Sequence, residues 1–416
     1  MYKLVINGGT PLKGSIKTSG SKNATLPIFF SSILADGPLK LSNTPQLSDV
    51  STTLRLLMDM GSNFVLEEDG SIFIDSSTLT NLTAEYSLVK TMRASILTLG
   101  PMLAKYKKAK ISLPGGCAIG TRPVNLHLDA LEKMGATIEV KNGYIYASTQ
   151  GLVGSQINFD LISVTATENI IMAACLAKGE SKIKNIAIEP EVIDLVDCLK
   201  SMGANIELTD NRTILIQGVD EMKGTSHTII PDRIEALTYV IAGALNAENL
   251  LIKDINISHI QNVLDSLVKL NIAMEIKDNE ISVKKTSIEE GIELDTEEFP
   301  GFPTDLQAQM MVLMSLGKKK SIIKENIFEN RFMHVPELNR MGGNIEISGK
   351  KAIIHPCDGF LGAQVMATDL RASVSLVLAG LVADGETTLN RIYHLDRGYE
   401  NIEKKLQACG ADIKRI

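Results

Sequence analysis

The chain has 416 residues, of which 44% are hydrophobic and 22% are charged, and its formal net charge is −7. This length predicts about two domains with large cores, and the composition is ordinary for a soluble globular protein. The acidic charge, the lack of a basic block and an aromatic content of 4% argue against a nucleic-acid-binding protein. No apolar run reaches the roughly 18 residues of a membrane span, which argues against a membrane protein.

The cysteines and histidines predict neither a disulfide framework nor a metal site. The cysteine count is odd and no paired spacing occurs, which favours a reducing cytoplasm; the positions are Cys117, Cys175, Cys198, Cys357 and Cys409. The six histidines are scattered, without a His-x-x-x-His pair. The first eight residues are typical of a strand that ends in a turn, and not of a signal peptide. We therefore expect a cytoplasmic protein without a metal.

One motif, Leu-x-x-Met-Gly-Ala-x-Ile with small variations, recurs six times along the chain. Its copies are Leu57–Phe64, Leu131–Ile138, Leu199–Ile206, Leu267–Met274, Leu338–Ile345 and Leu406–Ile413. The glycine place, taken by Asn271 in the fourth copy, recurs at intervals of 74, 68, 68, 71 and 68 residues. Glycine or asparagine just past an apolar-periodic helix indicates a left-handed helix end, followed here by a strand.

The residues around each motif predict the same elements in every copy. An apolar first helix comes first; the six are Ala24–Leu34, Ala94–Leu103, Glu168–Ala177, Glu235–Leu245, Leu306–Leu316 and Leu370–Leu381. A short strand follows it, as at Lys110–Leu113 or Thr387–Ile392, and then the second helix and two short strands. The unit is therefore βαβαββ, with about 70 residues.

The ends of the chain predict how the repeats are grouped. The sixth copy stops before its final strand, and the N-terminal run Leu4 to Ile6 supplies a strand that replaces it. Polar breaks near Thr18–Ser21 and Gly224–Pro231 then place repeats one to three in a domain of residues 22–229. Repeats four to six form a second domain of residues 1–21 and 230–416. An α/β solenoid is the alternative, but a solenoid has free ends.

Polar residues collect at two equivalent places in the repeats, the start of the first helix and the loop before the second helix. Arginine is much the rarer basic residue, yet six arginines fall at these places: Arg93, Arg122, Arg233, Arg331, Arg371 and Arg397. Helix N-termini favour anions, and guanidinium groups bind phosphate and carboxylate in a bidentate manner. The pattern predicts a cleft between two domains that binds a strongly anionic ligand.

The loop from Leu113 to Pro123 is the only one of the six equivalent loops that carries a cysteine. It combines three glycines with Cys117 and, five residues on, Arg122. A thiol near a fixed cation can be held as a thiolate or a tuned acid, whereas the structural alternative is a small apolar side chain in a turn.

Several longer motifs resemble the enolpyruvyl transferase family of the UDP-N-acetylglucosamine 1-carboxyvinyltransferase type, over essentially the whole chain. They are the segments 20–24, 114–124, 302–309, 328–338, 367–373 and 394–400. The resemblance implies an inside-out α/β barrel of two domains, each built from three βαβαββ repeats. It also implies transfer of the enolpyruvyl group of phosphoenolpyruvate to the sugar 3-hydroxyl of UDP-N-acetylglucosamine. Phosphate leaves through a tetrahedral intermediate, and no metal or organic cofactor takes part.

The resemblance also implies roles for individual residues. Cys117 corresponds to the acid that protonates phosphoenolpyruvate and to the residue alkylated by fosfomycin-type inhibitors. Asp305 corresponds to the base for the sugar hydroxyl, and Asp369 to a supporting acid or base. Lys22 and Arg397 are also implied to be catalytic. The other implied substrate-binding residues are Lys22, Arg122 and Arg397 on the phosphate side, Arg331 and Arg371 near the reacting centre, Asn23 near the sugar, Arg93, Pro123, Val124, Asn125 and Leu126 near the nucleotide, and Ile327.

Two residues differ from the family pattern, since Asn125 stands where aspartate is usual and Thr165 where glycine is usual. Both positions lie near the nucleotide in the family, so they bear on its placement and not on the chemistry.

Two alternative functions are left open by the sequence. One is the enolpyruvyl transfer to shikimate 3-phosphate, and the other is a non-catalytic paralogue that binds the nucleotide sugar.

Overall fold

The computed structural model describes residues 2–89, 92–113, 124–210 and 212–416, with the side chain of Arg93 excluded. These residues form two compact units. One unit comprises residues 2–19 and 231–416, and the other comprises residues 20–113 and 124–230. The chain therefore passes between the units twice in the described part, after Ser19 and after Ile230.

The chain begins with two strands and then enters the first repeat. The two strands are β1 (Leu4–Asn7) and β2 (Leu12–Lys17). The elements of repeat one are α1 (Lys22–Ser31), a 3-10 turn (Ser32–Leu34), β3 (Ala35–Asp36), β4 (Leu39–Ser42), α2 (Ser48–Met60), β5 (Asn63–Leu66) and β6 (Ile72–Asp75).

Repeats two and three complete the unit of residues 20–230. Repeat two contains β7 (Thr83–Ala84), α3 (Tyr86–Val89), a 3-10 helix (Arg93–Thr98), α4 (Leu99–Tyr106), β8 (Lys108–Ser112), α5 (Asn125–Lys133), β9 (Thr137–Lys141) and β10 (Tyr144–Ser148). Repeat three contains β11 (Gln156–Asn158), α6 (Val164–Ala174), β12 (Glu180–Lys184), α7 (Pro190–Ser201), β13 (Asn205–Asp210), β14 (Thr213–Gln217), β15 (Met222–Lys223) and β16 (Ser226–Thr228).

The remaining repeats belong to the other unit. Repeat four contains α8 (Arg233–Asn246), β17 (Ala247–Lys253), a 3-10 turn (Ile257–His259), α9 (Gln261–Lys269), β18 (Met274–Lys277) and β19 (Glu280–Val283). Repeat five contains β20 (Glu293–Asp295), a 3-10 turn (Thr304–Leu306), α10 (Gln307–Ser315), β21 (Ser321–Lys324), α11 (Val335–Arg340), β22 (Asn344–Ser348) and β23 (Lys351–His355). Repeat six contains β24 (Gln364–Met366), α12 (Leu370–Val382), β25 (Glu386–Asn390), a 3-10 helix (Ile392–Arg397), α13 (Ile402–Ala408) and β26 (Asp412–Arg415).

The four-stranded sheets of the described residues all have the same strand order, in which the fourth strand of the repeat lies between the second and the third. Repeat three shows it as β11-β12-β14-β13, with β11 parallel to β12 and the other pairs antiparallel. In repeat six, β1 takes the place of the fourth strand, between β25 and β26. The N-terminal strand therefore completes the last sheet.

Two further sheets take their first strand from a distant part of the chain, which the sequence pattern did not indicate. The first strand of the sheet in repeat four is β2, which precedes the whole other unit in the chain. The first strand of the sheet in repeat one is β16, which comes at the end of repeat three. The segment 224–231, which we predicted to be a polar break, therefore includes a strand that closes its unit.

The repeated Met-Gly motif forms the same turn in all six copies. The glycine at 61, 135, 203, 342 or 410 has a φ between 90° and 109°, and Asn271 has a φ of 56°. These angles are closed to most side chains but open to glycine and accessible to asparagine. The predicted left-handed helix ends are therefore present, and they turn the chain from the second helix into the third strand.

The first helices of the repeats form the interior of each unit. In one unit, α8, α10 and α12 pack against each other, and nearly every residue of the three helices is buried. In the other unit, α6 packs against both α1 and α4. The sheets lie outside these helices, and their third strands are largely exposed, as in β5 and β18. This arrangement of helices inside sheets confirms the predicted inside-out α/β fold. No helix of the described residues is long and apolar enough to cross a membrane.

Candidate active site

Lys22 opens the first helix of its unit and lies beside a buried carboxylate. Ser21 caps α1 by accepting a hydrogen bond from the Ala24 amide at 3.4 Å, so the Lys22 side chain starts from a fixed helix end. Its Nζ lies 3.5 Å from Oδ2 of Asp49, a buried residue in the first turn of α2. Asn23 follows on the same turn and is half-buried. The structure thus places one predicted cation and the predicted amide at one helix N-terminus.

Several predicted site residues lie outside the described part of the chain. Cys117, Arg122 and Pro123 lie outside the described residues, and so does the side chain of Arg93. Val124 is half-buried and immediately precedes α5, whose first residue, Asn125, is exposed.

A buried histidine ties the start of α5 to the start of α6. The amide of Asn169 donates from Nδ2 to the Ile96 carbonyl oxygen and lies 2.9 Å from Nδ1 of His127, while its Oδ1 accepts from the Gly100 amide. With the amide oriented in this way, Nδ1 of the histidine is the acceptor. The neutral ring then carries its proton on Nε2, which lies 3.4 Å from the Thr165 hydroxyl oxygen. Thr165, one of the two departures from the family pattern, is therefore held by this histidine.

Repeat three also contains a buried acidic group. Glu168 on α6 is 2% exposed, and Glu191 in the first turn of α7 is 3% exposed. Burial raises the pKa of the Glu168 carboxyl well above its usual range, and the nearby Glu191 and Glu189 raise it further. These effects favour the protonated form of Glu168. The sequence pattern did not point to Glu168, which lies in a largely apolar helix.

The other unit holds a carboxylate between two buried arginines. Asp305 lies in the 3-10 turn before α10, and its Oδ1 accepts a hydrogen bond from Nη2 of Arg331 at 2.7 Å. Its Oδ2 accepts from Nη2 of Arg371, also at 2.7 Å. The side chain of Asp305 is 27% exposed, whereas each arginine side chain is 5% exposed. We call these three residues the Asp305 clamp. Its carboxylate is therefore paired with two adjacent cations.

Buried polar residues form hydrogen bonds with the two arginines. Nη1 of Arg371 donates to the Tyr399 hydroxyl oxygen at 3.2 Å, and this hydroxyl also pairs with Thr238 at 3.0 Å. Gln307, at the start of α10, donates from Nε2 to the Arg331 carbonyl oxygen at 2.9 Å. The buried Tyr399 therefore helps to orient the Arg371 guanidinium, and Gln307 ties the backbone of Arg331 to α10. Tyr399 lies in segment 394–400, which carries the family resemblance, but the sequence analysis assigned it no role.

Asp369 occupies the place in repeat six that Asp305 occupies in repeat five, but it has a different set of contacts. Its Oδ1 accepts from the amides of Arg371 and Ala372, so it is the N-cap of α12. Its negative charge also acts on two histidines, since it opposes the lowering of the pKa of His334 and of His394. Burial is the larger effect in both cases and brings the pKa of His334 to about 4. The positive charge of Arg397, another predicted residue, lowers the pKa of His394 further.

The described cysteines are all unsuited to nucleophilic chemistry. Burial raises the pKa of Cys175 and of Cys198 to about 12. Burial also raises the pKa of Cys357 and of Cys409. A thiolate is the reactive form, so these four thiols are inert at neutral pH.

Comparisons with known proteins agree over the full length of the chain. The family profile described as EPSP synthase (3-phosphoshikimate 1-carboxyvinyltransferase) matches residues 6–406. The UDP-N-acetylglucosamine 1-carboxyvinyltransferase of Ruthia magnifica subsp. Calyptogena magnifica is 57% identical over 417 residues, covering 100% of both chains. The protein of the same name from Pelagibacter ubique is 52% identical, also over 100% of both chains.

Solved structures of lower sequence identity share the fold. The enolpyruvyl transferase NikO from Streptomyces tendae superimposes with a TM-score of 0.91 at 24% identity, covering 100% of this chain and 98% of its own. The EPSP synthase of Acinetobacter baumannii gives a TM-score of 0.78 at 17% identity, with 100% of both chains covered.

The neutral state of His127 predicts a specific pH dependence of stability. Burial lowers its pKa to about 4, below the usual 6.5. Between these two pH values the unfolded chain therefore binds a proton at this histidine, whereas the folded chain does not. This contribution to stability is present above about pH 6.5 and is lost as the pH falls towards 4, by at most about 1.4 kcal/mol per pH unit. In urea unfolding between pH 4 and 7, His127→Gln should therefore lose less stability on acidification than the parent. Equal slopes for the two proteins would contradict the neutral, buried histidine.

Proposed function

The chain belongs to the enolpyruvyl transferase family, and we propose that it transfers the enolpyruvyl group of phosphoenolpyruvate to the 3-hydroxyl of UDP-N-acetylglucosamine. Phosphate is the second product, and the reaction belongs to peptidoglycan synthesis in the cytoplasm. The observation that carries this proposal is identity of 50–57% over the full length to relatives named for that reaction. The Asp305 clamp adds a charged group suited to the chemistry.

The addition step needs one acid and one base. Cys117 gives its thiol proton to the methylene carbon of phosphoenolpyruvate, and Asp305 takes the proton of the sugar 3-hydroxyl as its oxygen bonds to the central carbon. An ionised Asp305 is ready for this role because Arg331 and Arg371 stabilise its negative charge. The product of the step is a tetrahedral intermediate in which the former methylene is a methyl group.

The elimination step reverses the proton transfer at carbon and releases phosphate. The bond from the central carbon to the phosphate oxygen breaks, the methyl group loses a proton, and the double bond forms again. Lys22, Arg122 and Arg397 neutralise the charge that develops on the departing phosphate. Asp369 supports the proton transfers: its Oδ1 caps α12, whereas its Oδ2 accepts a long hydrogen bond of 3.4 Å from the Thr368 hydroxyl.

Substrate contacts divide among phosphoenolpyruvate, the sugar and the nucleotide. Arg331 and Arg371 carry positive charge that suits the carboxylate of phosphoenolpyruvate, Asn23 is assigned to the sugar, and Ile327 is a further substrate-binding residue. Arg93 and the run from Arg122 through Pro123, Val124, Asn125 and Leu126 are assigned to the nucleotide. Thr165, with its hydroxyl held by His127, is the difference from related enzymes that most directly affects this end.

Transfer to shikimate 3-phosphate is the second candidate, because the matching family profile is named for that reaction. The identities favour the nucleotide sugar, since the EPSP synthase structure is only 17% identical and is evidence for the fold alone. A non-catalytic paralogue would be expected to lack one of the catalytic side chains, and Cys117, Asp305, Lys22 and Arg397 are all present in the sequence.

Turnover with each acceptor tests the proposal. The purified protein is incubated with phosphoenolpyruvate and either UDP-N-acetylglucosamine or shikimate 3-phosphate, and phosphate release and product mass are measured. We expect phosphate and the enolpyruvyl sugar nucleotide in equal amounts with the first acceptor, and neither product with the second. Absence of turnover at millimolar substrate would refute the enzymatic function, and turnover only with the second acceptor would assign the other reaction.

Alkylation by fosfomycin tests the assignment of the acid. The epoxide should modify Cys117 alone, since burial raises the pKa of the other four thiols. Cys117→Asp keeps an acid in place, so this variant should retain turnover within about 10-fold of the parent and lose the modification. Peptide mass mapping locates the adduct. Persistent labelling of the Cys117→Asp protein would show that another residue reacts.

A further inference from the structure

Glu325, at the end of β21, is a buried carboxylate with four hydrogen-bond donors. It is 2% exposed. Its Oε1 accepts from the Thr296 hydroxyl at 2.9 Å and from the amides of Ile327 at 2.9 Å and Phe328 at 3.1 Å. Its Oε2 accepts from the Thr304 hydroxyl at 2.8 Å. A buried charge with this many donors is well satisfied and fixes the groups that donate to it.

Comparison of the repeats shows that Glu325 is unusual at its position. The residue after the second strand is Asn43, Asn185, Asp254 or Arg391 in four other repeats, and each has a φ between 55° and 60°. Glu325 is not among the residues of positive φ in the described chain.

The asparagine contact of those turns is kept in repeat five, but one residue later. Asn43 and Asn185 donate from Nδ2 to the carbonyl oxygen of the residue after the first strand of the sheet, Ile229 or Phe159. In repeat five, Asn326 makes this bond, to the Thr296 carbonyl oxygen at 3.2 Å. Relative to the turns at Asn43 and Asn185, repeat five therefore has one extra residue, Glu325, before the asparagine. The side chain of Glu325 is buried.

The four donors connect Glu325 to both sides of the Asp305 clamp. Thr304 is the residue before Asp305, so the bond to Oε2 fixes the backbone from which the carboxylate projects. On the other side, the ring of Phe328 lies 5.5 Å from the guanidinium carbon of Arg331. Glu325 thus holds the segment that carries the base and the segment that leads to one of its arginines.

We propose that Glu325 is a positioning residue that sets the geometry of the Asp305 clamp through Thr304 and through the amides of Ile327 and Phe328. Its carboxylate touches no reacting atom. It acts by holding Asp305 at hydrogen-bonding distance from Arg331 and Arg371, and its part in catalysis rests on the proposed function. The placement of Asp305, by contrast, is a property of the free protein and is measurable without turnover.

Two threonines provide a matched pair of variants. Thr304 and Thr296 donate to the same carboxylate at 2.8 and 2.9 Å, but only Thr304 adjoins Asp305. Thr296 additionally accepts from the Asn326 amide at 2.9 Å, so Thr296→Val removes more hydrogen bonds than Thr304→Val. A merely structural role predicts that Thr296→Val is the more harmful variant in every measurement. The positioning role predicts that Thr304→Val is the more harmful for the clamp and for turnover.

The first measurement is the titration of the Asp305 carboxyl by ¹³C NMR in the ligand-free protein, assigned with Asp305→Asn. Among the described residues, Arg331 and Arg371 are charged groups that contact it, and Asp232 acts on Arg371. Loosening the clamp weakens the stabilisation of the carboxylate, so Thr304→Val should raise the Asp305 pKa by about 1, whereas Thr296→Val should leave it unchanged. An unmoved titration in Thr304→Val, or an equal movement in Thr296→Val, would overturn the proposal whether or not the parent turns over.

The second measurement is turnover, first of the parent and then of the variants. If the parent forms product, Thr304→Val should lower kcat about 10- to 100-fold with both KM values within about 3-fold, and Thr296→Val should stay within about 3-fold in kcat. Equal losses in the two variants would overturn the proposal. If the parent forms no product, the proposed function fails, and the carboxyl titration alone decides the role of Glu325.

The carboxylate itself is tested by Glu325→Gln with Glu403→Gln as its control. Glu403 is a second buried carboxylate of the same unit, and it pairs with Arg415 instead of the clamp. Hydrogen exchange at the amides of residues 327 and 328 should accelerate at least about 10-fold in Glu325→Gln and remain at the parent rate in Glu403→Gln. Unchanged protection of these amides in Glu325→Gln would contradict the proposed contacts.

Discussion

The carboxylate of Asp305 shared between two buried guanidinium groups is the interaction on which the proposed chemistry depends. Burying a charge is costly unless it is paired, and here one anion serves two cations. The clamp therefore has an excess of positive charge beside a partly exposed carboxylate. We propose that this charge favours an anionic substrate and that the Asp305 carboxylate accepts the hydroxyl proton, so that one arrangement serves both binding and proton transfer.

The repeats explain how residues far apart in sequence reach this arrangement. Asp232, Asp305 and Asp369 stand at equivalent places, each at the start of a first helix. Asp232 and Asp369 cap their helices by accepting hydrogen bonds from backbone amides. Asp305 instead bonds to the arginines of the loop before α11 and of α12. The same structural position therefore has a capping role in two repeats and binds side chains in the third.

The fold was largely predictable from the sequence because its signals are local and repeated. The Met-Gly turns, the helices before them and the strands after them depend on residues within a few positions of one another. The exchange of β2 and β16 between distant repeats was not predictable, since strand pairing depends on the whole sheet. Individual side-chain contacts were also not predictable, because the repeat pattern identifies equivalent positions but does not identify which side chains bind each other. Arg371 and Glu325 bind partners whose choice only the packed unit determines.

Single-turnover kinetics of Asp305→Asn test the central role of the clamp most directly. This variant keeps the size of the side chain but removes the charge and the basicity, while the binding groups around it remain. Rapid quenching of enzyme in excess over both substrates should show phosphate release slowed by about 10²- to 10⁴-fold relative to the parent, with both substrates still bound in equilibrium dialysis. Release within 10-fold of the parent rate would show that Asp305 is not the base.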